Sequence, residues 1–200
     1  MRKVLAWGVL ALLLCGCGPV QTREAMDGGV WDGMTFRHAY IGCEITVPKD
    51  WYSKQQDADN LEFLQPLEEF LERDNVYYLF KATQYEQDGI GGYPMIQMVA
   101  RGMDTLEQHV TTAQEYLEQA PGILQGSNAE VLSDDLIGGD IGGRDFHMLP
   151  LQITRPDGTV VYHSLFARVE EEYLLLVGLS YLDQQQYEEA LTVLQTLTFQ

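Results

Sequence analysis

Between Met34 and Pro48 apolar and polar positions alternate in two short runs, "FRHAY" and "CEITVP", separated by Ile41-Gly42. Alternation with a period of two sends successive side chains to opposite faces, so this pair predicts a β-hairpin. Pro48-Lys49-Asp50-Trp51 then turns the chain. In "QPLEEFLERD" the period changes. Pro66 stands near the start and Leu67, Phe70 and Leu71 recur at i, i+3 and i+4, which predicts a helix. "VYYLFKATQY" (76–85) and "PMIQMVARG" (94–102) return to strand composition, and "EQDGIGGY" between them supplies turn residues.

Asp104 and Glu107 have the spacing of an N-cap and its N3 acid, and Leu106, Val110, Ala113 and Leu117 behind them form one apolar stripe. The spacing predicts a helix from Asp104 that Pro121-Gly122 ends. "DFHMLPLQIT", "TVVYHSLFARV" and "YLLLVGLSY" read as three consecutive antiparallel strands. Arg155-Pro156-Asp157-Gly158 is a strong hairpin turn, with proline at i+1 and a glycine free to take positive φ. A bulge at Gly158 sets Ile153 opposite Val161 and Leu149 opposite Leu165, which matches apolar residues on one face. The last segment predicts a helix from about Asp183 to Leu197, with Tyr187, Ala190, Leu191, Leu194 and Leu197 on one side. Runs of antiparallel strands separated by helices indicate an α+β fold, an antiparallel β-sheet flanked by helices, rather than a doubly wound sheet.

Two segments carry a family resemblance. "YIGCEITVPKDWY" resembles the opening of small PsbP-like domains. "IGGRDFHMLPLQI", followed by "GTVVYHSLFARVEEEYLLLVGLSY" and "LTVLQTLTF", is similar to their C-terminal half: a strand after a Gly-Gly turn, a meander, and a closing helix. The resemblance spans roughly residues 35–200. It implies a PsbP-like α/β/α sandwich and a habit of binding other proteins, and it implies no shared catalytic residues. The family includes extrinsic photosystem subunits, a nuclear-transport factor that binds a small GTPase, and bacterial lipoproteins of unknown role.

The N-terminus has a different pattern. Met1-Arg2-Lys3 precedes an uncharged apolar run of 11 residues, Val4 to Leu14. A membrane span needs ~20 apolar residues, so this run has the length and basic flank of a secretory signal instead. It ends in Leu14-Cys15-Gly16-Cys17, which resembles the lipobox of bacterial lipoproteins, with Cys17 as the lipidated residue. Cys15 fits that role poorly, because Leu14 would occupy the −1 place reserved for a small side chain. The resemblance implies a diacylglyceryl cysteine at Cys17. Two acyl chains hold a protein firmly at a membrane where one does not. The expected organisation is a signal peptide over 1–16, a lipidated N-terminus and flexible tether over 17–34, and one domain over 35–200. As a coil, residues 18–34 would span ~23 Å. Trp31 is unusual in a tether and either packs on the domain or marks its edge.

Removing residues 1–16 removes Arg2 and Lys3 and no acids, leaving 10 basic against 30 acidic residues, a net charge of −20. Such a surface disfavours nucleic acid and anionic headgroups as partners. With Cys15 cleaved and Cys17 blocked, only Cys43 remains, so no internal disulfide can form. Its apolar surroundings mark it as a small buried hydrophobe.

Candidate chemistry is sparse. A C-x-C metal site at Cys15 and Cys17 lacks further ligands beyond Cys43 and scattered histidines. "IGGDIGGRDF" lacks the lysine and the following helix of a phosphate loop, and Asp140 and Asp145 would repel an anion. His38, His109, His147 and His163 are dispersed; the hairpin register puts His163 opposite Leu151, ~13 Å along from His147. Ser164 and His163 are strand neighbours, hence on opposite faces. Glu68, Glu69, Glu72 and Glu170, Glu171, Glu172 read as solvated faces or turn tips. Asp134, Asp135 and Asp140 lack the spacing of a calcium loop. No catalytic, cofactor-binding or metal residue is assigned. The sequence leads to a membrane-anchored, extracytoplasmic, non-catalytic binding module with a protein or envelope-component partner. The alternative is a cell-envelope hydrolase whose site forms only in three dimensions. An enzyme would show a concave pocket with convergent polar groups, and a binding module an apolar patch.

Overall fold

The computed structural model describes residues 29–54, 76–84, 86–87, 90–106, 110–123 and 128–200. The signal segment, Cys17, the tether up to residue 28, the helix expected in "QPLEEFLERD" and His109 all lie outside the described residues. The chain forms β1 (Gly29–Asp32), β2 (Thr35–His38), β3 (Cys43–Thr46), β4 (Tyr52–Lys54), β5 (Val76–Thr83), β6 (Glu86–Gln87), β7 (Ile90–Gly91) and β8 (Met95–Gly102). Helix α1 (Ala113–Ile123) follows, then β9 (Ala129–Val131), β10 (Ile137–Ile141), β11 (Arg144–Thr154), β12 (Val160–Glu170), β13 (Tyr173–Tyr181), α2 (Gln184–Leu194) and β14 (Thr198–Phe199).

The principal sheet runs β10-β11-β12-β13-β8-β5-β4, with β9 also paired to β11, and every pairing is antiparallel. A second sheet runs β1-β2-β3-β14. The expected register is present: Ile153 pairs with Val161, Leu149 with Leu165 and Leu151 with His163. The turn that sets it is closed by Gly158 N–H donating to Arg155 O at 2.9 Å, with Gly158 at φ +86°.

Alternation along these strands divides the core in two. One face presents Phe80, Ile96, Met98, Phe146, Phe166, Leu175, Val177 and Leu179 to the second sheet (Phe36, Cys43, Ile45) and to α2 (Ala190, Val193, Leu194). The other presents Met95, Val99, Leu149, Leu151, Leu165, Leu174 and Leu176 to α1 through Ala113, Tyr116, Leu117 and Ala120. The fold is therefore mostly antiparallel sheet with two short helices among the described residues. It carries more sheet than the helix-flanked sandwich expected, because one layer is built jointly by α2 and a small sheet.

Several boundaries differ from the sequence reading. Gly29–Asp32, within the stretch expected as tether, form a strand: β1 pairs with β2 and Trp31 packs against Phe36 and Phe80 (centroids 5.4 and 6.1 Å). The helix expected from Asp104 is only a short 3-10 turn, Met103–Thr105, and α1 starts at Ala113. Its cap is Thr112, whose Oγ1 accepts from Glu115 N–H at 3.1 Å, while Glu115 Oε2 accepts from Thr112 N–H at 2.9 Å. This is a reciprocal capping box. Its hydrogen bonds hold the Glu115 carboxyl below its ordinary pKa, with Thr111 as the largest contributor. Pro121 lies inside the last turn of α1 instead of ending it. Thr112→Ala should cost about 1 kcal/mol, read as a lower urea midpoint at unchanged slope.

Helix α2 fulfils the expectation over its body. Asp183 is its N-cap and accepts from Gln186 N–H at 2.9 Å. It stops at Leu194, earlier than Leu197, because Thr198–Phe199 leave to pair with β3.

Candidate functional site

Histidine 163 projects from β12 on the face that carries Leu165 and Ala167. It is 3 % exposed, and its Nδ1 lies 3.0 Å from Ser180 Oγ on β13, itself fully buried. Burial, aided by the charge of Arg155, pushes the imidazole pKa down to about 3, so the ring is neutral at physiological pH. A serine beside a neutral histidine has the composition of a nucleophile and base, yet neither side chain reaches solvent. The sequence reading paired His163 with its neighbour Ser164 and rejected the pair. It missed Ser180, which the β12–β13 register places directly opposite. Ser164 points to the other face, as alternation requires, and its Oγ lies 3.2 Å from the Tyr181 hydroxyl.

His38 is equally buried, and its Nδ1 accepts from Ile41 N–H at 3.2 Å, closing the β2–β3 hairpin. His147 is half-buried on β11. Among the described residues no three His, Cys, Asp or Glu side chains converge to hold a metal. Cys43 is buried, and desolvation pushes its thiol up to about 12. It is the inert hydrophobe expected. "IGGDIGGRDF" is the β10–β11 hairpin, with Gly142 and Gly143 both at positive φ. Glu170 ends β12 and pairs with Arg168 at 2.6 Å, and Glu171-Glu172 form the β12–β13 turn, where Glu172 accepts from the Tyr40 hydroxyl at 2.9 Å.

The surface offers more than the interior. Exposed large hydrophobics include Leu132 and Ile137, about half exposed, on either side of Ser133-Asp134-Asp135. Ile137 opens β10, an end strand of the principal sheet among the described residues, and Leu132 directly follows β9. β9 and β10 run along the same side of β11, one after the other, interrupted by the excursion 132–136. The two-residue turn Gly142-Gly143 makes Ile141 and Arg144 a hydrogen-bonded pair, and such pairs alternate with non-bonded ones. Gly139 and Ile137 therefore spend their backbone groups on β11. The N–H and C=O of Gly138 and Asp140 point outward from the sheet, and residues 137–140 are all exposed. Among the described residues, no atom lies within 4 Å of where a Cβ on Gly138 or Gly139 would stand. Ile137 shares a face with buried Ile141, and Asp140 lies on the opposite face, directly across from Asp145. Sequence reasoning classed this stretch as a turn. Which strand ends a sheet depends on pairing order, which no local pattern carries.

No family model matches the sequence, and no curated protein does. Among solved structures, the cyanobacterial PsbP (CyanoP) of Synechocystis sp. PCC 6803 superposes with a TM-score of 0.51 at 15% identity, covering 86% of this chain and 96% of that one. LpqN, involved in cell envelope biogenesis of Mycobacterium tuberculosis, gives 0.49 at 14% identity over 78% and 82% of the two chains. A protein of Bacteroides thetaiotaomicron VPI-5482 gives 0.47 at 13% identity, with this chain spanning 49% of its length. The CyanoP likeness shows that this chain has a PsbP-like fold. At this identity it shows the fold alone.

Proposed function

We propose that this chain is a membrane-anchored, extracytoplasmic bacterial lipoprotein whose PsbP-like domain is a non-catalytic binding module. The observation that carries the module is the contrast between interior and surface. His163, Ser180, His38 and Cys43, the described side chains with the most chemical potential, are buried. The exposed apolar residues Leu132 and Ile137 instead border β10, an end strand of the principal sheet among the described residues. The anchor rests on the N-terminal sequence, where Leu14-Cys15-Gly16-Cys17 follows a basic start and an apolar run. No helix among the described residues is long and apolar enough to cross a membrane, so a membrane association by helix would have to come from elsewhere in the chain.

Cys17→Ser should move the protein from the membrane fraction to the soluble fraction, and retention of that variant in membranes would refute lipidation as the anchor. Counting thiols gives an independent reading. With Cys15 cleaved off and Cys17 held as a thioether, the native protein should show no reactive thiol and the denatured protein one, from Cys43. Two or more thiols after denaturation would contradict the assignment of Cys17. Turnover of envelope polymers by the purified chain would overturn the non-catalytic module.

A further inference from the structure

We propose that the β10 edge takes an extended basic segment of a partner protein as an added strand. The inference rests on the binding-module reading and names the class of partner. Three features of the edge define the occupant.

The first is backbone geometry. Gly138 and Asp140 direct their N–H and C=O groups away from β11, and only another extended backbone matches that spacing of donors and acceptors. Residues 137–140 are all exposed, so a second backbone can approach this edge in the plane of the sheet. Neither Gly138 nor Gly139 has a positive φ, so this segment has no backbone kink of that kind to prevent pairing.

The second is the division of the two faces. On one side stand exposed Ile137 and, beyond the excursion, exposed Leu132. On the other stand Asp140 and Asp145 as direct cross-strand neighbours. Like charges in that position repel, and a cation laid beside them relieves the repulsion. A strand added here would thus present apolar side chains to Ile137 and lysine or arginine to Asp140. Alternation with period two delivers that pattern.

The third is the wider charge. Residues 130–145 carry five carboxylates, Glu130, Asp134, Asp135, Asp140 and Asp145, against one base, Arg144, whose guanidinium lies over the Phe199 ring at 6.0 Å. The whole chain has a formal charge of −18. A second copy would bring its own Asp140 and Asp145 to the same edge, so charge complementarity favours a basic partner over self-pairing.

The test uses the full chain in non-ionic detergent and an eight-residue peptide of alternating valine and lysine as probe. Binding is read by fluorescence anisotropy at low salt and by amide hydrogen exchange. The peptide should slow exchange at Gly138 and Asp140, and a peptide with glutamate in place of lysine should not. Gly138→Pro removes an outward N–H that the ladder does not use. It should weaken binding at least about tenfold while leaving the thermal midpoint nearly unchanged. Asp140→Lys should weaken it by a similar factor and flatten the salt dependence. Unchanged affinity in Gly138→Pro, equal binding of the glutamate peptide, or protection at 137–141 arising from self-association would each overturn the proposal. These outcomes leave the binding-module reading standing, since that reading falls to measured turnover.

Discussion

Alanine at Gly142 should destabilise the domain by roughly 3–4 kcal/mol, while alanine at the adjacent Gly143 should cost about 1–2 kcal/mol. Both glycines occupy the left-handed region, at φ +62° and +78°, so both substitutions carry the same conformational penalty. They differ in surroundings. A Cβ on Gly142 would meet the carbonyl oxygen of Leu197 at 2.5 Å and the Thr198 α-carbon at 3.1 Å, whereas one on Gly143 meets nothing within 4 Å. Backbone cannot swing aside as a side-chain tip can, so the Gly142 variant must lift the β10–β11 turn off the segment joining α2 to β14. That segment is where the principal sheet meets the small one: Phe146 lies 6.1 Å from Phe199, and Leu197 is fully buried. Urea midpoints for the two variants measure the difference. Equal losses would mean that the turn does not rest on Leu197.

Much of the principal sheet was legible because turn chemistry and strand period agree there. Arg155-Pro156-Asp157-Gly158 fixes where the chain reverses, and only one register then keeps Leu149 and Leu165 together. Helix α1 was misplaced because two capping signatures compete. Asp104-x-x-Glu107 and Thr112-x-x-Glu115 have the same form, and the apolar stripe Leu106, Val110, Ala113, Leu117 continues through both. Val110 is buried although it precedes the helix, so apolar spacing alone does not locate the start. The contact that decides is remote: Met103 N–H donates to Glu172 O at 2.9 Å, tying that stretch to the β12–β13 turn.

The second sheet was half legible. Its central hairpin, β2–β3, follows from alternation around Gly42, which takes φ +67° as the turn demands. Its outer strands do not. β14 has two residues and finds its partner at Cys43 and Glu44, far away in sequence. β1 looks like linker because glycine and acids surround Trp31, and its pairing with β2 and the Trp31 contacts with Phe36 and Phe80 give it a place. The surface proposed for binding was invisible for a related reason. "IGGDI" carries no periodicity, and its exposure follows from being the last strand rather than from its own residues.

Acidification should reveal the buried histidine. The folded-state pKa of His163, about 3, lies well below the 6.5 of an exposed imidazole. Below pH 6.5 the unfolded chain therefore takes up a proton that the folded chain refuses. The stabilising contribution is present in full above pH 6.5 and is lost as pH falls toward about 3, at up to ~1.4 kcal/mol per unit. Between pH 7 and 5, above the range where ordinary carboxylates titrate, this one group should remove about 2 kcal/mol. His163→Leu keeps the site apolar and eliminates the titration. It leaves Ser180 without this partner, so it lowers stability at pH 7 while flattening the slope below it. The comparison of unfolding free energies at pH 7 and 5 for both proteins isolates the effect from every group common to the two. A wild-type slope matched by the variant would show that His163 takes up its proton without unfolding. The imidazole and Ser180 would then be reachable, and the case for a purely structural pair would fail with it.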